Sequence, residues 1–206
     1  MEGTGAVKVT RFKHVFLDAE GTLYVPKGKR LIWEFWAHPS PEAAVEFFEL
    51  DTGVLEALRT LREQVDTICV VSRNSWPILS AILKKYGIED FFDDIILNGN
   101  KGKKIERYLS RHGMSKAESI MVGDMPELDL FPVLRAGVAA LLVDRWYNRS
   151  VSAERIKGLS DLPAWLRIAD IAESMGKDES RIATLDEFVN PATIRAGPTK
   201  SLIATP

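Results

Sequence analysis

The chain has 206 residues, of which 46% are hydrophobic and 27% are charged, and its 27 basic and 29 acidic residues give a net charge of −2. The length and composition indicate one globular domain and exclude disordered and low-complexity proteins. The net charge gives the chain no overall positive field that would attract nucleic acid or an anionic membrane surface. The single cysteine, Cys69, excludes an internal disulfide, and without an apolar signal or membrane segment the expected location is the cytoplasm.

Short apolar segments that alternate with helical patterns predict an α/β fold with a mostly parallel sheet. Most of these segments are apolar throughout, which is typical of strands buried on both faces. The predicted strands are His14–Asp18, Thr67–Ser72, Asp94–Leu97, Ser119–Val122 and Val138–Val143. The helical patterns between and after them cover about 54–61, 78–86, 105–112, 128–136 and 162–175.

Two segments interrupt this alternation. Segment 24–50 follows the first strand and contains prolines, a basic run and several aromatic rings, so we interpret it as an insertion or a minimal cap. Its rings either lie over the site or fill core beside the sheet, and both roles remain open. Segment 177–206 is polar and is predicted to be a loosely attached tail, which leaves residues 1–176 as the main domain.

Polar side chains follow the carboxyl ends of several predicted strands, which is where open parallel sheets bind ligands. Carboxylates close to a hydroxyl group and a lysine suit Mg²⁺ together with a phosphate, because Mg²⁺ prefers oxygen ligands and keeps substrate oxygens in its coordination shell. The pattern therefore indicates phosphoryl chemistry. The residues selected in this way are Asp18, Glu20, Ser72, Arg73, Asn74, Asp124 and Asp129.

The segment Asp18-Ala19-Glu20-Gly21-Thr22-Leu23 resembles the first signature of the haloacid dehalogenase-like (HAD) superfamily, Asp-x-Asp-Gly-Thr-Leu. Further signatures follow in order, with Ser72 at a strand end, Lys101 at the start of a helix, and Gly123-Asp124 followed by Asp129. The resemblance implies a Rossmann-like three-layer sandwich with strand order 3-2-1-4-5. It is closest to the magnesium-dependent phosphatase branch that has little or no cap.

This resemblance implies that residues 1–176 form the catalytic domain of a phosphatase. Asp18 would attack phosphorus and form an aspartyl-phosphate, which divides hydrolysis into two displacements. Glu20 would act as the general acid and then as the general base. The expected partner is a small-molecule or exposed phosphate monoester.

The resemblance also implies a magnesium site and a phosphate site. Mg²⁺ would be held by Asp18, the main-chain carbonyl of Glu20 and Asp124, and Asp129 would orient this set. The phosphate oxygens would be bound by Ser72, Arg73 and Lys101.

Two points in these signatures leave alternatives open. Lys101, Lys103 and Lys104 share one basic segment, and the spacing to the helix in the resembling phosphatase branch favours Lys101 over the other two. Glu20 stands where the superfamily usually has Asp. Because Glu still supplies a titratable carboxyl group, phosphate monoester hydrolysis is favoured, with a phosphonatase, a dehalogenase or a non-catalytic interaction module as alternatives.

The loop 144–149 follows the last predicted strand and contains two arginines and two aromatic rings. One interpretation is that it recognises a leaving group. The other is that Trp146 is packed against the domain while the arginines are exposed.

Overall fold

The computed structural model describes residues 11–175, so the predicted tail at 177–206 lies outside the described residues. The strands within this range are β1 (His14–Leu17), β2 (Tyr24–Pro26), β3 (Phe48–Leu50), β4 (Thr67–Ser72), β5 (Asp94–Leu97), β6 (Ser119–Gly123), β7 (Ala139–Val143) and β8 (Arg155–Ile156). Six of them form a parallel sheet with the order β5-β4-β1-β6-β7-β8 in this part of the chain, so a short strand, β8, extends the sheet beyond the predicted strands.

Helices cover both faces of this sheet, which makes the fold a three-layer α/β sandwich as predicted. In β1, Val15 and Leu17 pack into a core cluster with helices on one face of the sheet, whereas Phe16 faces a second cluster with helices on the opposite face. Alternate residues of a strand point to opposite faces, so a fully apolar strand can serve two helical layers. The helices are α1 (Ile32–Ala37), α2 (Pro41–Phe47), α3 (Val54–Gln64), α4 (Trp76–Lys85), α5 (Lys101–His112), α6 (Phe131–Arg135) and α7 (Leu162–Met175).

Local residue choices determine where α5 begins and how closely it packs. The Asn100 side chain accepts a hydrogen bond from the Lys103 N–H at 3.0 Å and so caps the first turn. The helix ends at Gly113, which has a left-handed φ of 64°. Gly102 lies against the Pro132 carbonyl of α6, and a Cβ atom at this position would overlap that oxygen. The first turn of α5 therefore rests directly on the backbone of α6.

Segment 24–50 is folded rather than irregular. Strands β2 and β3 form an antiparallel pair, and the two short helices α1 and α2 connect them. Phe35, Phe47 and Phe48 are buried and pack against one another, whereas Trp33 is 63% exposed and Trp36 is 43% exposed. The phenylalanines thus fill core, and the two tryptophans are left at the surface.

The segment predicted as a helix at 128–136 has two parts. Pro126–Leu130 forms a π-helical turn, and α6 follows it directly. None of the helices within residues 11–175 has the length and apolar character that a membrane crossing requires.

Candidate active site

The carboxyl edge of the sheet brings three predicted acidic residues together. Asp18 follows β1, Asp124 follows the neighbouring strand β6, and Asp129 lies in the π-helical turn after β6. One carboxylate oxygen from each lies within 4.8 Å of the others, and the three residues are at most 7% exposed. Because β1 and β6 are parallel neighbours, the acids that follow them must meet at this edge.

Lys101 lies inside this acidic cluster. Its ammonium group pairs with Asp18 and donates a hydrogen bond to Asp129 Oδ1 at 2.5 Å, and the lysine is 4% exposed. Burial alone would lower the pKa of Lys101, but the two carboxylates outweigh it and raise that pKa above its usual value. Lys103 is exposed and Lys104 is half-buried, so the structure places Lys101 rather than either neighbour among the acids.

Burial dominates the electrostatics of these carboxyl groups. It raises the pKa of Asp18 and of Asp129 to about 6, against the opposing effect of Lys101. The pKa of Asp124 is raised as well, again chiefly by burial. Asp124 Oδ1 is buried without a hydrogen-bond partner among the described residues. Clustered buried carboxylates with a spare oxygen fit a divalent cation, whose charge would offset theirs.

Two glycines permit this close packing of acids. Gly21 has a left-handed φ of 79°, and a Cβ atom there would overlap the Asp124 carboxylate. A Cβ atom at Gly123 would overlap the Asp129 side chain in the same way. The close packing of the acids therefore requires both glycines, and at Gly21 the left-handed backbone favours glycine as well.

Glu20 borders the cluster and is partly exposed. Burial raises its pKa to about 7, and the charge of Asp18 adds to that rise. Hydrogen bonding by the Trp36 and Asn74 side chains lowers the pKa of Glu20 again in part. A carboxyl group with a pKa near neutrality can both donate and accept a proton at ordinary pH.

The turn after β4 presents a second set of polar groups. Ser72 is 4% exposed, and its hydroxyl oxygen accepts a hydrogen bond from the Asn74 N–H at 3.1 Å. The Asn74 side chain donates to the Tyr24 hydroxyl at 2.7 Å, which ties this turn to β2. The Arg73 side chain is exposed. Asn74 was predicted as a site residue without a role, and its contact with Tyr24 depends on pairing that local patterns do not reveal.

The interpretation of loop 144–149 as a packed Trp146 with exposed arginines is wrong at Trp146 and at Arg145. Trp146 is 81% exposed. Arg145 is half-buried, pairs with Asp51, and donates to the Gly21 carbonyl at 2.9 Å. The guanidinium group thereby ties this loop to the turn that follows Asp18.

Tyr147 and Asn148 in the same loop contact Asp124, and neither was predicted as a site residue. The Tyr147 hydroxyl donates to the Asp124 carboxylate, and the Asn148 side chain donates to the Asp124 main-chain carbonyl at 2.7 Å. Burial and the Asp124 charge raise the pKa of Tyr147, so its hydroxyl remains a donor. Their position directly after β7, the neighbour of β6, was the available signal.

A family model described as haloacid dehalogenase-like hydrolase matches residues 23–143, which is more than half of the chain. The chain belongs to this hydrolase family. The match begins at Leu23, the last residue of the Asp18 motif, and includes Ser72, Lys101, Asp124 and Asp129. The membership predicted from the signatures is therefore confirmed.

Relatives of this HAD hydrolase include Pyrophosphatase PpaX of Halalkalibacterium halodurans, which is 31% identical over 112 residues. That alignment covers 52% of this chain and 50% of the relative, so the chain spans about half the length of the curated relative it matches.

Solved structures of other proteins share the fold of this HAD hydrolase. A HAD phosphatase from Thermococcus onnurineus matches with a TM-score of 0.60 and 18% identity, over 75% of this chain and 98% of that one. L-2-haloacid dehalogenase from Xanthobacter autotrophicus matches with a TM-score of 0.57 and 14% identity, over 76% of this chain and 98% of that one. At these identities the likeness shows the fold alone.

Proposed function

We propose that the chain is a Mg²⁺-dependent phosphatase that hydrolyses phosphate monoesters through a phosphoryl group carried by Asp18. The observation that carries this proposal is the position of Lys101, buried between Asp18 and Asp129 with Asp124 alongside. Phosphoryl transfer to a carboxylate brings two anions together, and a buried ammonium group at the ligand-binding edge of the sheet reduces their repulsion.

The proposed Mg²⁺ would be held by oxygens of Asp18 and Asp124 and by the main-chain carbonyl of Glu20, with Asp129 orienting this set. The unpartnered Oδ1 of Asp124, noted above for the described residues, supports this assignment. When bound, Mg²⁺ supplies positive charge that draws the phosphate oxygens toward the nucleophile.

In the first displacement a carboxylate oxygen of Asp18 attacks phosphorus, and the bond between phosphorus and the leaving-group oxygen breaks. Glu20 in its acid form donates its proton to that oxygen, so the leaving group departs as an alcohol. The Ser72 hydroxyl, the Arg73 N–H and the Lys101 ammonium group donate hydrogen bonds to the phosphate oxygens.

In the second displacement a water oxygen attacks the same phosphorus, and the bond between phosphorus and Asp18 breaks. The Glu20 carboxylate, left without its proton by the first step, accepts a proton from this water. The products are inorganic phosphate and a free Asp18 carboxylate, and Glu20 has returned to its acid form.

A hydrolysis panel of phosphate monoesters, run with Mg²⁺ and with excess EDTA, tests the proposal. We expect phosphate release to require Mg²⁺ and to fall to background in Asp18→Asn, because the amide is a poor nucleophile. Asp93→Asn is the matched control, since Asp93 pairs with Arg62 at 2.5 Å beside the start of β5, at the opposite edge of the sheet. Turnover that persists in EDTA, or in Asp18→Asn, would overturn the proposal.

Pyrophosphate is a second candidate substrate, because a relative with 31% identity over 112 residues is named a pyrophosphatase. The two displacements would be the same, with inorganic phosphate as the first leaving group. The panel therefore includes pyrophosphate. It also includes a 2-haloacid, because a dehalogenase has a similar fold. If the chain releases halide without Mg²⁺ and releases no phosphate, its activity is that of a dehalogenase and the proposed phosphatase activity is wrong.

A further inference from the structure

The loop after β7 holds Asp124 at two points. The Tyr147 hydroxyl donates a hydrogen bond to Asp124 Oδ2, and the Asn148 side chain donates to the Asp124 main-chain carbonyl. Asn148 is 1% exposed, and its amide group also donates to the Val143 carbonyl at 2.8 Å, at the end of β7. The loop thus fixes both the backbone and the carboxylate of Asp124 from the neighbouring strand.

The two carboxylate oxygens of Asp124 have different surroundings. Oδ2 accepts the Tyr147 hydrogen bond. Oδ1 is buried, and no group within residues 11–169 hydrogen-bonds to it. One oxygen is therefore engaged by the protein, and the other is left for a cation.

We propose that Tyr147 is a positioning residue that makes Asp124 a one-oxygen ligand and thereby favours Mg²⁺ over Ca²⁺. This inference rests on the metal site of the proposed function. Ca²⁺ takes a large and adaptable oxygen shell and often binds both oxygens of one carboxylate, whereas Mg²⁺ requires a compact octahedral shell. A carboxylate whose second oxygen is held by a phenol is a poor two-oxygen ligand, and so it disfavours the larger ion.

The anchor of the loop lies next to Tyr147. Asn148 is buried and donates to the main-chain carbonyls of Asp124 and Val143. The backbone that carries Tyr147 is therefore tied to the strand ends on both sides of Asp124. Ligand orientation of this kind typically changes metal affinity by about 10–100-fold when the supporting group is removed.

Tyr147→Phe tests this role, because it deletes the hydroxyl and keeps the ring. We expect the dissociation constant for Mg²⁺ to rise roughly 10-fold. The Ca²⁺ constant should stay the same or fall, because Asp124 can then offer both oxygens. The measurement is calorimetric titration of the full chain with MgCl₂ and with CaCl₂, without substrate. Tyr86→Phe is the matched control, since it removes a phenol hydroxyl that donates to the Phe48 carbonyl at 2.7 Å.

The ratio of the two dissociation constants separates positioning from a general structural role. Damage to the fold weakens both cations together, so an unchanged ratio in Tyr147→Phe would overturn the inference even where both affinities fall. A wild-type chain that binds Mg²⁺ with this preference but hydrolyses no phosphoester would refute the proposed function and leave this inference intact. A wild-type chain that binds no Mg²⁺ would refute both.

Discussion

The Lys101 side and the Tyr147 side of the acidic site deal with buried negative charge in different ways. On the first side the Lys101 ammonium group pairs with Asp18 and with Asp129 at 2.5 Å. On the second side Asp124 accepts a hydrogen bond from a neutral phenol, and its other oxygen lacks a partner in the described part of the chain. The protein supplies a positive charge on one side and leaves the other side to a cation.

This difference predicts opposite responses to mutation. Removing a partner from a buried ion pair leaves an uncompensated charge, which is among the most destabilising changes a core can suffer. Removing a buried charge that has no ionic partner relieves a desolvation cost instead. The two sides can therefore be distinguished by the sign of their effect on folding, without any measurement of activity.

The largest effect is expected at Glu20, whose pKa is raised by burial and then by the charges of Asp18 and Asp124. Glu20→Gln removes proton transfer at nearly constant volume, so turnover should fall by about 10²–10⁴-fold. With a good leaving group, attack by Asp18 needs little acid help, and the phosphoenzyme should accumulate. Rapid-quench measurement of phosphoenzyme checks this result.

Glu20→Asp serves as the conservative variant for that experiment. It shortens the side chain to the length usual in the superfamily and should give equal or higher turnover. If Glu20→Gln turns over like the wild type and accumulates no intermediate, another group moves the proton and the role assigned to Glu20 is wrong.

The next largest effect is expected on the Lys101 side, when Lys101→Met removes the buried ammonium group. Asp18 and Asp129 would then lose their ionic partner in a buried site, and the free energy of unfolding should fall by about 3–5 kcal/mol. Urea unfolding in EDTA, followed by circular dichroism, measures this change. Lys103→Met, at an exposed position of the same helix, is the control and should change stability by less than about 0.5 kcal/mol. Equal losses in the two variants would contradict the comparison.

Asp124→Asn tests the other side and should act with the opposite sign. In EDTA the free energy of unfolding should be unchanged or should rise by about 1 kcal/mol, because a buried charge without an ionic partner is removed. Added Mg²⁺ should stabilise the wild type by about 2.7 kcal/mol at 100 times the dissociation constant, and should stabilise the variant far less. A loss in EDTA as large as that of Lys101→Met would show that the two sides are alike.

The smallest effect is expected at Trp36, which lies beside Glu20 and on neither side of the comparison. Trp36→Ala should lower kcat/KM for aryl phosphates about 2–10-fold, in line with the usual strength of aromatic contacts, and should affect alkyl phosphates less. Trp33→Ala, on the same helix but 63% exposed, is the comparison variant. If both variants leave aryl and alkyl kinetics unchanged, the tryptophans are ordinary surface residues.

The acidic edge was predictable because it follows from strand geometry. Val15 to Leu17 and Ile120 to Val122 are apolar runs that identify buried parallel strands, and acids follow both. Parallel neighbours bring the residues after them to one edge, so the approach of Asp18 and Asp124 followed once the family resemblance supplied the strand order. Lys101 was predicted from the family resemblance, through its spacing to the helix in the resembling phosphatase branch.

The contacts of loop 144–149 and the fold of segment 24–50 could not be predicted in this way. Trp146 and Tyr147 are adjacent aromatic residues, yet only the second reaches Asp124, and residue type does not distinguish them. Likewise, β2 and β3 pair across the two helices between them, and no local periodicity marks that pairing. Both features depend on tertiary register, which single-sequence patterns do not contain.

The approach of Gly102 to the Pro132 carbonyl has a mechanical consequence for the site. Lys101 is the adjacent residue on α5, and Asp129 lies in the turn that leads directly into α6. The two helices therefore hold Lys101 and Asp129 at a fixed separation. Any side chain at position 102 would push α5 away from α6 and so move the ammonium group away from Asp129. The absence of a single methyl group there keeps the lysine within reach of both carboxylates.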